Sequence, residues 1–208
     1  MSMKYLNNRG YVLFKNDISD EMKSQILSDL TVKPNIPKAM MKVTPYPIYR
    51  ESASKYYLPR FYGLKTFGDD YDIKISNGLD FENMQFKGAL RDYQNMIVDK
   101  YVNHVGSIGG GLLEIDTGLG KTVIGLNIIS RLKKKTLIIV HKEFLLNQWV
   151  ERIREFLPQA RIGKIQGKII DIEDKEIVIA MLQSISMKTY DNEVFESLDL
   201  FRLISHLA

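Results

Sequence analysis

Residues 111–122 read Gly-Leu-Leu-Glu-Ile-Asp-Thr-Gly-Leu-Gly-Lys-Thr and run directly into 123–132, a stretch with helical periodicity. Residues 112–115, with Leu112, Leu113 and Ile115, predict a short strand, so the local order is strand, glycine-containing bend, helix. Such a bend turns several backbone N–H groups inward, and the helix N-terminus adds partial positive charge. The result is an anion cradle, with phosphate the expected guest. Gly118 and Gly120 let the backbone curl around oxygen atoms without a Cβ clash. Lys121 would reach the β and γ phosphates, and the Thr122 hydroxyl would hold Mg2+. Magnesium keeps most of its waters, so one hydroxyl plus phosphates suits it. The competing reading is a neutral glycine-rich turn. Ile115 stands where the strict phosphate-loop pattern opens on glycine, and the Asp116 carboxylate must point outward if a polyphosphate is to bind.

Around this segment, short apolar strands alternate with helices. Leu90, Tyr93, Ile97 and Tyr101 recur at helical spacing, and 136–140 is a strand without polar alternation. Phe144, Leu145, Trp149, Ile153 and Phe156 form the apolar face of a helix, and strands follow near 161–165 and 177–180. The pattern predicts an α/β fold, a parallel sheet covered by helices on both faces. Trp149 reads as core, since it shares a helix face with Leu145 and Ile153.

The preceding part, residues 1–85, reads as a small α+β domain. Residues 11–14 form a strand, and Ser19 caps a helix with Asp20 and Glu21 in its first turn and Met22, Ile26, Leu27 and Leu30 on one face. Pro34 and Pro37 stop that helix, and Pro45 and Pro47 punctuate the next stretch of chain. From 46 to 65, Tyr46, Tyr49, Tyr56, Tyr57, Phe61 and Tyr62 interleave with Arg50, Lys55, Arg60 and Lys65. This pattern fits a half-buried hairpin, and it also fits a nucleic-acid groove in which rings stack on bases and cations meet phosphates. Residues 66–85 are rich in turn formers, which places the domain boundary near 85/86.

Composition narrows the classes. Of 208 residues 45% are apolar, and no low-complexity block or repeat occurs, so a disordered or fibrous chain is excluded. The absence of Cys excludes thiolate metal sites, and His104, His141 and His206 are too scattered for ligand spacing. No apolar run reaches the roughly 18 residues of a membrane span, and the N-terminus lacks the apolar core of a secretory signal. The expected compartment is the reducing interior of a cell, cytoplasm or nucleus, with no membrane partner. The net charge of +4 divides evenly about Phe86, so any nucleic-acid partner must be argued from motifs.

With its opening residue relaxed, the bend reads Thr-Gly-x-Gly-Lys-Thr, which resembles the phosphate loop of superfamily 2 helicases and translocases. Upstream, residues 86–94 (Phe-Lys-Gly-Ala-Leu-Arg-Asp-Tyr-Gln) resemble their Leu-Arg-x-Tyr-Gln adenine motif, 27 residues from Gln94 to Lys121. A Gln amide donates to and accepts from an adenine edge at once. The alternative for Gln94 is an ordinary exposed helix residue. Residues 136–158 resemble motif Ia, and the wording Val-His-Lys-Glu-Phe-Leu-Leu-Asn-Gln-Trp is most similar to the xeroderma pigmentosum group B type and its relatives in phages and large DNA viruses. Residues 177–184 resemble the next nucleic-acid motif.

The resemblance implies a RecA-like lobe at 86–208. ATP would contact Arg91, Gln94, Thr117, Gly118, Leu119, Gly120, Lys121 and Thr122, the last two also being the candidate catalytic residues and Thr122 the Mg2+ ligand. Nucleic acid, DNA ahead of RNA, would contact His141, Lys142, Gln183 and Ser184; capping of the following helix by Ser184 or a neighbour is the other reading. It also implies an intracellular viral protein, with packaging in a virion a further location.

The family places an Asp-Glu-x-His box on the next strand, where its carboxylates complete magnesium coordination and position the attacking water. No such sequence occurs: Asp20-Glu21 lies in the first domain, Glu173-Asp174 precedes a strand, and residues 195–208 reach the expected place without it. Nor is there a second lobe with its arginine finger. The expectation is therefore an N-terminal fragment, from a split gene, a frameshift or a truncation, that binds ATP without hydrolysing it alone. A separate chain would supply the second lobe. The alternatives are a non-catalytic nucleic-acid-binding module and an inactive gene fragment.

Overall fold

The computed structural model describes residues 4–7, 9–33, 44–74, 79–81, 84–108, 110–187 and 201–204. Pro34, Pro37 and His206 lie outside the described residues. The chain divides into two compact units, Met1–Ser76 and Asn77–Ala208.

In the first unit the strands are β1 (Tyr5–Asn7), β2 (Gly10–Phe14), β3 (Thr31–Val32), β4 (Tyr46–Pro47), β5 (Arg50–Glu51), β6 (Lys55–Leu58) and β7 (Asp72–Ile73). The helices are α1 (Asp20–Asp29) and α2 (Arg60–Phe67). Five strands form a sheet in the order β5-β6-β2-β1-β7, and β3 pairs separately with β4. The core holds Leu6, Tyr11, Leu13, Ile26, Leu30, Tyr56 and Leu58, with Tyr62, Leu64 and Phe67 packed against it.

Ser19 caps α1 as expected, its Oγ accepting from the Met22 N–H at 3.2 Å. The helix ends at Asp29, before the prolines, and turns into β3. Its expected apolar face is only half realised: Ile26 and Leu30 are buried in the core, while Met22 and Leu27 are exposed. The aromatic stretch is a hairpin as far as Leu58, with β5 antiparallel to β6, and then becomes a helix. Pro59 at the N-cap pre-sets that turn.

In the second unit the elements are α3 (Asp92–Ile108), α4 (Lys121–Leu132), β8 (Thr136–Val140), α5 (Glu143–Phe156), β9 (Ile162–Gln166), β10 (Ile169–Asp171), β11 (Ile177–Met181), α6 (Leu182–Met187) and β12 (Phe201–Ile204). The sheet order is β10-β9-β11-β8-β12, parallel except for the β9–β10 hairpin. This is the α/β class expected from the alternation. The strands are apolar on both faces because both are covered. Ile138, Val140, Ile177 and Ile179 pack with Leu126 and Ile129 of α4 and Leu145, Trp149 and Ile153 of α5. Leu137, Val178 and Ala180 face the other way, toward Ile165, Ile172 and Ile185. Trp149 is core, 2% exposed. Phe144 is not: it is 62% exposed, turned away from the sheet at the first turn of α5.

Two further expectations are corrected. The units divide at 76/77, ahead of 85/86, because Leu79, Phe81 and Met84 are sewn to the second unit. The Phe81 N–H donates to the Lys133 carbonyl at 2.9 Å, the Lys135 N–H to Leu79 at 2.9 Å, and Ser130 Oγ to Met84 at 2.8 Å. Met84 is 3% exposed in the main core. Residues 112–115 are extended but form no strand ladder among the described residues. Leu113 and Ile115 pack against Val98, Tyr101, Ile124 and Ile128 of α3 and α4, while Leu112 is 92% exposed. Two apolar residues, Leu113 and Ile115, are anchored here by helices, a difference that periodicity over so short a run does not encode.

Candidate nucleotide-binding loop and adjoining sheet edge

The bend before α4 is closed, not splayed. The Leu119 N–H donates to the Asp116 carbonyl at 3.4 Å, and Ile124 N–H reaches the Gly120 carbonyl at 3.0 Å to start the helix. Gly118 and Gly120 take φ of +86° and +81°, in the left-handed region where a Cβ costs roughly 1–2 kcal/mol. Their surroundings differ. A Cβ on Gly118 meets nothing within 4 Å, so this position faces open space; a Cβ on Gly120 sits 2.6 Å from Gln94 Nε2. Asp116 is exposed.

Lys121, the first residue of α4, is half-buried, and its Nζ donates to the Ile115 carbonyl at 2.6 Å. The ammonium thus spans the bend from its exit to its entry and pairs with a backbone oxygen. Thr122 is half-buried one residue further on. First-turn N–H groups of a 12-residue helix, a glycine with empty space beside it and a lysine crossing the bend form a donor set suited to phosphate.

Gln94 is not an exposed helix residue; it is 6% exposed. Its Oε1 accepts the Arg91 backbone N–H at 3.0 Å, closing the first turn of α3 as in a capping box. Its Nε2 donates to the Leu119 carbonyl at 3.1 Å. The Tyr93 hydroxyl donates to that same carbonyl at 3.2 Å. Two adjacent side chains of α3 therefore hold the bend. Periodicity marks Tyr93 only as a helix-face residue; its place beside Gln94 within the 86–94 motif is the signal that points to the bend. The Arg91 side chain is exposed.

His141 and Lys142 lie at the carboxyl end of β8, and α6 begins at Leu182 directly after β11. Gln183 Nε2 donates to the His141 carbonyl at 2.8 Å. Ser184 lies within α6, not ahead of it, so it is not the helix cap; its Oγ accepts the Gly167 N–H at 2.9 Å. Gln166 Nε2 donates to Glu143 Oε1 at 3.0 Å. These bonds join the ends of β8, β9 and β11 into one polar edge, bringing all four predicted nucleic-acid residues together. The Lys142 ammonium lies 5.8 Å from the centroid of the exposed Phe144 ring.

Residues 87–204, more than half of the chain, match the family described as "Type III restriction enzyme, res subunit". The chain belongs to this family. Within it the chain is of the superfamily 2 helicase type seen in viral helicases and xeroderma pigmentosum group B-like translocases. It is 34% identical over 192 residues to "Putative ATP-dependent RNA helicase L396" of Acanthamoeba polyphaga mimivirus, covering 90% of this chain and 37% of that protein. It is 34% identical over 88 residues to "DNA 3'-5' translocase XPB2" of Sulfurisphaera tokodaii, covering 42% of this chain and 19% of that one. A solved structure, the Sulfolobus solfataricus SWI2/SNF2 ATPase core in complex with dsDNA, is 27% identical with a TM-score of 0.42, over 50% of this chain and 23% of that chain. The chain thus spans little more than a third of the length of the mimivirus relative. Among the described residues no helix is long and apolar enough to cross a membrane.

Proposed function

We propose that this chain is the ATP-binding part of a nucleic-acid-dependent ATPase of superfamily 2. The observation that carries the reading is the Lys121 ammonium held across a closed bend 2.6 Å from the Ile115 carbonyl, with open space beside Gly118. A triphosphate entering that space would offer Lys121 phosphate oxygens in place of the carbonyl, and the first-turn N–H groups of α4 would donate to the same oxygens. Thr122, the second residue of the helix, would hold Mg2+, which when bound supplies neutralisation of phosphate charge. Beyond its bonds to Leu119 and Arg91, the Gln94 amide donates only a long bond to the Tyr93 hydroxyl at 3.4 Å, and its oxygen keeps one acceptor site; exchanging that long bond for an adenine edge would let it donate and accept at once. Thr117, Leu119 and Arg91 complete the nucleotide contacts.

His141, Lys142, Gln183 and Ser184 would take the nucleic-acid backbone, DNA ahead of RNA. The 208 residues contain no Asp-Glu-x-His sequence, so this polypeptide by itself is proposed to bind ATP without appreciable turnover. Both named relatives, described as a helicase and a translocase, support this reading.

The test is retention of labelled ATP by equilibrium dialysis with Mg2+. Saturable binding is expected, weakened at least about 10-fold in Lys121→Ala, since a charge-assisted hydrogen bond contributes roughly 1.5–3 kcal/mol. Retention unchanged in Lys121→Ala, or none in the parent chain, would refute it. Steady phosphate release by the parent chain would refute the proposed incompetence alone.

A further inference from the structure

We propose that the face of the first unit's five-stranded sheet opposite α1 and α2 binds single-stranded nucleic acid, unpaired bases resting on Tyr5, Phe14 and Tyr57 and phosphates meeting Arg9, Arg50, Lys55 and Lys74. The inference does not rest on the nucleotide-binding reading, which concerns the other unit.

Strand register assembles this face. Tyr5 pairs with Asp72 on one side and Val12 on the other; Val12 pairs with Tyr57, and Tyr57 with Arg50. One row crossing five strands thus reads Asp72, Tyr5, Val12, Tyr57, Arg50. Two residues along, Phe14 pairs with Lys55 on the same side. The alternate residues Leu6, Tyr11, Leu13, Tyr56 and Leu58 point into the helix-covered core. Tyr5, Phe14, Lys55 and Tyr57 keep part of their surface in solvent, and Arg9, Arg50 and Lys74 are exposed.

The cations already sit over the rings. Lys74 Nζ is 4.3 Å from the Tyr5 centroid, Lys55 Nζ is 4.7 Å from Phe14 and 5.5 Å from Tyr5, and the Arg9 guanidinium is 5.5 Å from Tyr57. Lys55 is half-buried and also donates to the Tyr5 hydroxyl at 3.2 Å; the exposed Lys74 and Arg9 hold their rings only weakly, so they move readily to a phosphate and free the faces of Tyr5 and Tyr57. Among the described residues, this row and its neighbours carry the cations Arg9, Arg50, Lys55 and Lys74 and the carboxylate Asp72, a balance complementary to a polyanion. The Tyr5 and Phe14 rings meet each other at 6.3 Å between centroids, tilted by 60°, so together they offer one aromatic platform and Tyr57 a second. Unpaired bases can rest on such platforms, whereas a duplex hides its base faces. The structure also re-sorts the aromatic stretch: only Arg50, Lys55 and Tyr57 of residues 46–65 belong to this surface, joined by residues from β1, β2 and the turns beside them.

The test uses the full chain, a fluorescent 20-nucleotide single strand and its duplex, with anisotropy at two salt concentrations. Single-strand binding stronger than duplex binding is expected. Affinity should fall about 10-fold in Tyr57→Leu, and the salt slope should drop by about 1.4 in the double variant Arg9→Glu/Lys74→Glu. Retention of ATP should be unchanged in both, and oligonucleotide binding unchanged in Lys121→Ala. Photo-crosslinking of an iodouracil-containing strand to the parent chain should place adducts on Tyr5, Phe14 or Tyr57. Equal affinity for duplex, adducts confined to the second unit, or equal displacement by polyglutamate would overturn the proposal.

Discussion

Gly118 and Gly120 separate backbone strain from contact, and a pair of alanine substitutions reads the difference. Both residues have φ near +80°, so each alanine costs roughly 1–2 kcal/mol for the left-handed conformation. At Gly118 nothing lies within 4 Å of the new Cβ, and the cost ends there. At Gly120 the Cβ would stand 2.6 Å from Gln94 Nε2, and the 6% exposed amide must move. That breaks its bond to the Leu119 carbonyl, a net loss of about 0.5–1.5 kcal/mol, and leaves a buried donor to be satisfied again. Gly120→Ala is therefore expected to destabilise by roughly 2–4 kcal/mol against roughly 1–2 for Gly118→Ala.

Trp149, the only tryptophan, is buried in the second unit's core, so its fluorescence in urea follows that unit alone. In a Gln94→Ala background the excess cost of Gly120→Ala should vanish, leaving the backbone part. ATP retention should fall in both variants, in Gly118→Ala because its methyl enters the space proposed for phosphate. Equal urea midpoints for the two alanines, or an excess that survives without the Gln94 amide, would refute the coupling between α3 and the bend.

Two other perturbations bear on the same unit. Glu176 sits 13% exposed ahead of β11; burial acts to raise its pKa, but side-chain and backbone hydrogen bonds from Arg161 outweigh that and hold it below the ordinary carboxylate value. Because the folded value is depressed, this stabilisation is complete above the ordinary Glu pKa and is lost as pH falls through the folded one. Urea midpoints followed by Trp149 should drop on acidification, and Glu176→Gln should flatten that drop; an unchanged acid profile in the variant would contradict the assignment. Phe144, 62% exposed beside Lys142, should be replaceable by Ala with a stability change within about 0.5 kcal/mol. In the same variant, oligonucleotide affinity should weaken several-fold by anisotropy; a large fall in urea midpoint would return Phe144 to the core.

What the sequence makes legible depends on how local each cause is. β8, β9 and β11 lie within a residue of expectation, β8 and β11 because they are apolar runs buried on two faces and β9 because its burial alternates along the strand, and α5 because four buried residues recur at helical spacing. α2 reads as hairpin in the sequence because its aromatic residues are strong strand formers. Its actual cause is tertiary: a Cβ on Gly63 would lie 2.3 Å from Tyr11 Cβ, so the helix rests on β2 at a distance only glycine permits. The bend at 116–122 is a contiguous feature, and its lysine, glycines and helix start are identifiable from residue order. The Gln94 amide beneath that bend is not, since a spacing of 27 residues carries no information on which carbonyl the amide meets. The aromatic face of the first unit lies at the far end of this scale. Its three rings come from β1, β2 and β6, and only strand register places them on one side. A surface built that way leaves the sequence with a diffuse excess of aromatic and basic residues, which is why residues 46–65 alone support both a hairpin and a nucleic-acid groove, while the sheet order shows only which of them share a face.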